Sequence, residues 1–129
     1  MSWDSQTVKI HEIGKVITGK TPSSNNPEYF GQDIPFVTPT DFGSYIKNVF
    51  NSSRFLSKSG IQSIGSKVLP PNSILVSCIG SDMGKVVMNK IQCVTNQQIN
   101  SIIPDIQIVD SDFLYYKIVS LYDLLKNMS

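Results

Sequence analysis

The chain has 129 residues, of which 40% are hydrophobic and 16% are charged, and its formal net charge is +1. This length suits one domain with a buried core, and the composition excludes a disordered tail. No apolar run approaches the roughly 20 residues that a membrane helix requires, and the N-terminus lacks a signal-peptide pattern. We therefore expect a cytoplasmic protein in which any nucleic acid is held by a local patch.

The N-terminal third predicts one helix, one long loop and one strand. Apolar residues at positions 10, 13, 16 and 17 predict a short amphipathic helix within Val8–Gly19 that ends at Gly19. Lys20–Gln32 is a polar loop anchored by Tyr29 and Phe30. Asp33–Thr38 is typical of a strand with an edge-type proline, stopped by Pro39.

Residues 44–67 are basic and polar and carry the weakest pattern. A strand is predicted at Tyr45–Phe50 and a helix at Ser57–Ile64, ending near Gly65. This segment concentrates basic side chains that a DNA-binding protein could use.

The central stretch predicts a buried β-hairpin. Ile74–Ile79 is a short, β-branched apolar run bounded by turn signals, which is typical of a strand covered on both faces. Gly80–Gly84 supplies residues for a tight reversal, and Lys85–Met88 resumes in strand-forming residues. We expect this hairpin to organise the core.

The C-terminal third predicts two strands and a helix. Ile91–Val94 and Ser101–Pro104 are the strands, and a helix runs from Asp112 to about Lys126, with Asp110 or Ser111 as its N-cap. Leu114, Ile118, Leu121 and Leu125 form its apolar face. The predicted architecture is one α+β domain over residues 1–129, with a small mixed, mostly antiparallel β-sheet and flanking helices at the N- and C-terminal ends.

Catalytic patterns are weak. His11 stands in no nucleophile motif, and with the two cysteines Cys78 and Cys93 it shows no metal-ligand spacing. Gly80–Lys85 resembles a phosphate-binding loop, but it is one residue too short between its glycines and is followed by Val86 instead of Ser or Thr. We expect no enzyme activity, no metal and no cofactor.

Two polar segments leave a functional and a structural interpretation open. The amides of Thr95–Gln98 could read adenine, or they could satisfy backbone groups at strand ends. The polar side chains of Lys20–Asn26 could contact phosphates or could simply be solvated. Composition alone predicts only an α+β domain.

Short motifs follow one another along nearly the whole chain. They are Gly19–Ser23, Asn26–Phe30, Ile34–Thr38, Asp41-Phe42, Leu69-Pro70, Ser73–Ser77, Ile79-Gly80, Gly84-Lys85, Thr95–Gln98, Ile103-Pro104 and Phe113–Tyr116. In this order and spacing, they resemble the target-recognition domain of specificity subunits from Type I restriction-modification systems. The resemblance spans about residues 3–125.

The resemblance implies a non-catalytic reader of double-stranded DNA. In that family a specificity subunit carries two such domains, each recognising half of a bipartite target. Long helices between them dock methylation subunits, and a restriction subunit joins for cleavage. Adenine methylation with S-adenosylmethionine then belongs to the partner.

This chain has one such domain and stops at the lead-in to a helical spacer, which leaves three interpretations. It is a truncated form, the product of an interrupted gene, or a half-subunit that acts as a homodimer on a palindromic split site.

Loops that project from a sheet edge would carry the DNA contacts under this resemblance. Lys and Arg could hold phosphates or guanine, and Asn and Gln could read adenine. The candidates are Lys20, Ser23, Ser24, Asn25, Asn26, Lys47, Arg54, Lys58, Ser81, Asp82, Lys85, Asn96 and Gln97. An alternative function is a protein-interaction module whose C-terminal helix docks a methylation subunit or a second copy of the chain.

Overall fold

The computed structural model describes residues 12–43, 47–78 and 84–128, with side chains up to residue 122. The strands are β1 Gly14–Thr18, β2 Phe30–Val37, β3 Asn48–Val49, β4 Arg54–Leu56, β5 Ile74–Ser77, β6 Val86–Asn89, β7 Val94–Thr95 and β8 Ile99–Pro104. The helices are α1 Lys58–Ser63 and α2 Ser111–Met128, and short 3-10 turns occupy Pro27–Tyr29 and Pro39–Asp41. None of the helices described here is long and apolar enough to cross a membrane.

The strands form two sheets. A five-stranded sheet has the order β1-β8-β5-β6-β3, and a three-stranded sheet has the order β4-β2-β7. Pairing is antiparallel except between β3 and β6 and between β2 and β7. The α+β class and the mostly antiparallel, mixed pairing are confirmed, but the single predicted sheet is divided into two.

The predicted central hairpin is the core of the larger sheet. Ile74 and Val76 of β5 alternate with Leu75, and all three are buried. Ile74 and Val76 pack under α2, whereas Leu75 belongs to the cluster on the opposite face of the sheet. Both faces are therefore covered, and truncating Leu75 to alanine would cost about 2–5 kcal/mol.

A third apolar cluster joins the small sheet to α1. Ile34 and Phe36 of β2 pack with Leu56 of β4 and with Ile64 after α1. Ser57 caps α1, because its side-chain oxygen accepts the Gly60 N–H at 3.1 Å. The helix predicted at Ser57–Ile64 is confirmed.

The helix predicted within Val8–Gly19 is wrong from Gly14 onward. Only its residues 12 and 13 are helical among those described, and Gly14–Thr18 is the edge strand β1, paired antiparallel with β8. An apolar pattern at 13, 16 and 17 fits either state, and the backbone hydrogen bonds offered by β8 decide between them. His11 lies outside the described residues.

Other element boundaries differ modestly from the predictions. The strand predicted at Tyr45–Phe50 is β3 over Asn48–Val49, with residues 44–46 outside the described part, and the strand predicted at Ile91–Val94 begins only at Val94. β4 was not predicted. The predicted edge position of Pro35 is wrong, because Pro35 lies in the middle strand of the small sheet. β7 pairs only with the two residues that follow Pro35, so the ladder on that side needs no N–H from it.

The C-terminal helix begins as predicted. Asp110 is its N-cap, since its Oδ2 accepts the Phe113 N–H at 3.0 Å. Leu114, Ile118 and Leu121 are each buried. The first two pack on the chain's own sheet, so most of this apolar face is occupied within the domain. These three residues are therefore not free to dock a partner, which removes the main support for the interaction-module alternative; the side chain of Leu125 lies outside the described part of the chain.

Candidate nucleic-acid interface

Arg54 lies at the rim of an open groove beside the small sheet. The pairing of β2 with β4 sets Arg54 opposite Phe36, so both side chains lie on one face. Its guanidinium carbon is 5.0 Å from the centroid of the Phe36 ring and 5.4 Å from that of Phe30. The two rings meet edge to face at 6.4 Å. Each cation–π contact at such an exposed site is worth about 0.5–1 kcal/mol.

This Arg54 groove has a volume of about 690 Å³ and combines an aromatic floor with polar walls. Its lining residues are Ser24, Phe30, Gly31, Gln32, Ser53, Arg54 and Phe55. Ser24 and Arg54 are two predicted DNA contacts, 30 positions apart in the sequence, that the fold brings together here. Gln32 and Ser53 were not among the predicted contacts. The sequence marks them only by position, because Gln32 follows the Asn26–Phe30 motif and Ser53 lies in the basic segment of residues 44–67.

The Arg54 side chain has no hydrogen-bond acceptor among the described residues. Within the described part of the chain, its guanidinium makes no hydrogen bond or ion pair, although the side chain is exposed at the groove. All five N–H donors are therefore available to a ligand, and the two rings restrict the positions that the guanidinium can adopt.

Lys58 lies close to this groove. Its backbone N–H donates to Oδ2 of Asp33 at 3.1 Å, and Asp33 follows the groove residue Gln32 in the sequence. A Cβ added at Gly31 would approach Ser57 Cβ at 3.1 Å, so the start of α1 borders the groove wall. The Lys58 side chain is exposed and has no acceptor among the described residues.

The two polar segments with open interpretations contact each other. The Lys20 N–H donates to the Thr95 carbonyl at 3.0 Å, and the Thr21 hydroxyl donates to Gln97 Oε1 at 2.5 Å. Gly19 lies so close that an added Cβ would collide with the Thr95 and Asn96 carbonyl oxygens. These contacts give both motifs a structural role in joining the sheets.

Asn96 is buried, and its Oδ1 accepts the Gln98 N–H at 3.1 Å within a tight turn. Gln97 and Lys20 remain exposed at the surface of this junction. Asn96 therefore serves the local backbone, whereas its two neighbours keep polar groups toward solvent.

The first loop is shaped by its own polar groups. The backbone N–H groups of Asn25 and Asn26 donate to Ser23, at 3.3 Å in each case. The Asn26 carbonyl accepts the Tyr29 N–H at 3.0 Å. Ser23, Ser24 and Asn25 are exposed, so the turn presents their side chains outward near the Arg54 groove.

Two of the predicted lysines are engaged elsewhere. Lys47 forms an ion pair with Asp112 at 2.8 Å and lies over the Tyr116 ring at 4.6 Å, at the start of α2. The Asp112 carboxylate raises the pKa of Lys47, and Lys47 lowers the pKa of Asp112. The Lys85 amino group donates to the Gly43 carbonyl at 2.8 Å.

Two further candidates, Ser81 and Asp82, lie outside the described residues. Among the residues that are described, no group of three or more His, Cys, Asp or Glu side chains could hold a metal ion. The groove is thus the place where the structure gathers a free cation, amide and hydroxyl groups and aromatic rings.

Comparisons with known proteins agree with the resemblance seen in the sequence. The family described as "Type I restriction modification DNA specificity domain" matches residues 3–129. The HindI specificity subunit of Haemophilus influenzae is 40% identical over 106 residues, covering 82% of this chain and 22% of that protein. The MjaIX specificity subunit of Methanocaldococcus jannaschii is 33% identical, covering 98% of this chain and 29% of that protein.

The fold is also similar to solved structures. The HsdS subunit of Thermoanaerobacter tengcongensis aligns with a TM-score of 0.68 at 19% identity, covering 90% of this chain and 27% of that one. The chain therefore spans less than a third of the length of the relatives it matches. Because the family match extends over nearly every residue, this chain belongs to the Type I restriction-modification DNA specificity domain family.

Proposed function

We propose that this chain is a sequence-specific reader of double-stranded DNA that recognises one half of a bipartite target and performs no chemistry itself. The observation that carries the proposal is the Arg54 groove in a specificity-domain fold, with a free guanidinium beside polar side chains. Base edges are recognised by such donors and acceptors, and exposed lysines are among the groups that hold phosphates.

The arrangement of charges indicates which groups contact phosphates and how strongly the chain alone binds DNA. Lys20 and Lys58 are exposed and lack acceptors among the described residues, so they are available to phosphates. With a net charge of only +1, the chain binds duplex weakly on its own. Methylation and restriction subunits of the same cytoplasmic system supply the remaining affinity and all bond-making steps.

The chain acts as one domain of a larger assembly. Either a helical spacer and a second domain continue from α2, or two copies of the chain form a homodimer. A homodimer of identical readers would select a palindromic split target, because two-fold protein symmetry is mirrored in the DNA.

Fluorescence-anisotropy titration with a randomised duplex at several salt concentrations tests the proposal. We expect binding at low salt whose affinity falls as salt rises, with a slope of about −0.9 per phosphate contacted. Arg54→Ala should lower the affinity, and Lys58→Ala should reduce the salt slope by about one unit. Gln62→Ala, at an exposed position of α1, is the matched control. An absence of duplex binding at any salt concentration would contradict the proposal.

A further inference from the structure

We propose that Arg54 is the specificity-determining residue of this domain and that it reads a guanine in the major groove. This inference rests on the proposed function and assigns a base to one residue. Three independent features of the structure support it: the position of β4, the ring contacts of Arg54 and the chemistry of the groove wall.

The position of β4 gives Arg54 access to DNA. β4 is an outer strand of the small sheet and pairs antiparallel with β2. Arg54 is the first residue of this outer strand and is exposed, so its side chain can be approached from outside the sheet.

The ring contacts of Arg54 orient its guanidinium, as recognition of a base edge requires. The same fork can bind a phosphate, but Lys58 nearby is exposed and available for that role. Arg54, in contrast, is held over the rings of Phe30 and Phe36, which limits the motion of its guanidinium. An oriented guanidinium fork matches two acceptors in one plane, which the O6 and N7 atoms of guanine present in the major groove.

The groove wall extends the reading surface beside Arg54. Gln32 and Ser24 border the same groove, and both are exposed. A glutamine amide can pair with the N6 and N7 atoms of adenine, and a serine hydroxyl can donate to or accept from either neighbour. We infer that the guanine read by Arg54 has an adjacent base pair contacted by Gln32.

Selection of duplexes from a randomised library by the wild-type chain, followed by titration of single-base-pair variants, tests this assignment. We expect the selected sites to share a guanine whose replacement by adenine weakens binding by roughly 5- to 150-fold. Arg54→Lys should keep the affinity for random duplex and the salt slope but lose preference at that one position. Arg54→Gln should shift the preference there toward adenine.

Lys117→Arg is the matched control, because it alters an exposed cation of α2 outside the groove lining, and it should leave every base preference unchanged. An unaltered preference in Arg54→Lys, or selected sites without a shared guanine, would overturn the assignment while leaving DNA recognition intact. Wild-type chain that binds duplex with no base preference would also overturn it. A failure of the wild-type chain to bind any duplex would overturn the proposed function as well.

Discussion

Gly19 lies directly against the backbone carbonyl oxygens of Thr95 and Asn96. A methyl group at Gly19 would overlap both oxygens, which are held in place because the Thr95 oxygen accepts the Lys20 N–H and the Asn96 oxygen accepts the Ile99 N–H. This contact joins two motifs that also share the hydrogen bond between Thr21 and Gln97, which are 76 positions apart in the sequence. The motifs therefore contribute to the junction between the two sheets.

Gly19→Ala should destabilise the domain by about 1–3 kcal/mol, because the added methyl group overpacks a backbone contact. Urea unfolding followed by circular dichroism measures the change. Gly65→Asn is the control: Gly65 has φ of +79° and open space around it, and asparagine tolerates that conformation. Equal free energies of unfolding of Gly19→Ala and wild type would contradict this prediction, because the backbone around Gly19 would then have room for the methyl group.

Phe30→Leu should weaken binding to a selected duplex by a few-fold. It should also reduce the ratio between the affinities for that duplex and for its guanine-to-adenine variant. Leucine keeps an apolar side chain beside the Arg54 stem but removes one of the two ring faces that hold the guanidinium. Anisotropy titration with the selected duplex and its guanine-to-adenine variant measures both effects. Tyr29→Leu removes a ring outside the groove lining and should leave the ratio of the two affinities unchanged.

The pKa of Asp112 should lie below its ordinary value, because the Lys47 amino group hydrogen-bonds the carboxylate at 2.8 Å. Since the folded pKa is lowered, the stabilising contribution is present above the unfolded pKa and is lost as pH falls through the folded value. Both side chains reach solvent, so the effect on stability is small. Carbon-13 NMR titration should show the pKa rising in Lys47→Met and unchanged in Lys117→Met; no difference between these variants would refute the ion pair.

Burial raises the pKa of the Cys93 thiol to about 12, although a hydrogen bond with Asn89 opposes the shift. The folded chain thus keeps this proton while the unfolded chain loses it above its ordinary pKa of about 8.5. Stability should therefore fall from about pH 9 upward, by up to about 1.4 kcal/mol per pH unit.

Urea unfolding at pH 7, 9 and 10 measures this loss, which Cys93→Ala should remove. At pH 8.5, iodoacetamide should modify the half-buried Cys78 before the buried Cys93. Faster modification of Cys93 in the folded chain would contradict this account of its burial.

The sequence was most informative where one physical requirement dominated. The β5–β6 hairpin was predictable because Ile74–Val76 is apolar throughout and the run is flanked by turn residues. The N-cap Asp110 and the periodic face of α2 were predictable because caps and helical spacing act locally. The strand β1 was not, since its pattern fits two states and its partner β8 lies about 85 residues away.

The Arg54 groove could not be predicted from the sequence, because it also depends on pairing between separate strands. Arg54 was identified as a candidate contact from its charge, but its contacts with Phe30 and Phe36 depend on the register between β2 and β4. β4 is only three residues long and begins with a charged side chain, so no local pattern marks it. Lys47 had the same charge signal, yet its amino group is bound to Asp112 at the start of α2.

Amide hydrogen exchange of the chain with and without its selected duplex tests the central claim most directly. We predict that DNA slows exchange around the Arg54 groove, at residues 24, 31–32 and 53–55, and leaves the buried hairpin of β5 and β6 unchanged. Protection confined to α2, with the groove residues exchanging equally fast in both states, would contradict DNA recognition through this groove.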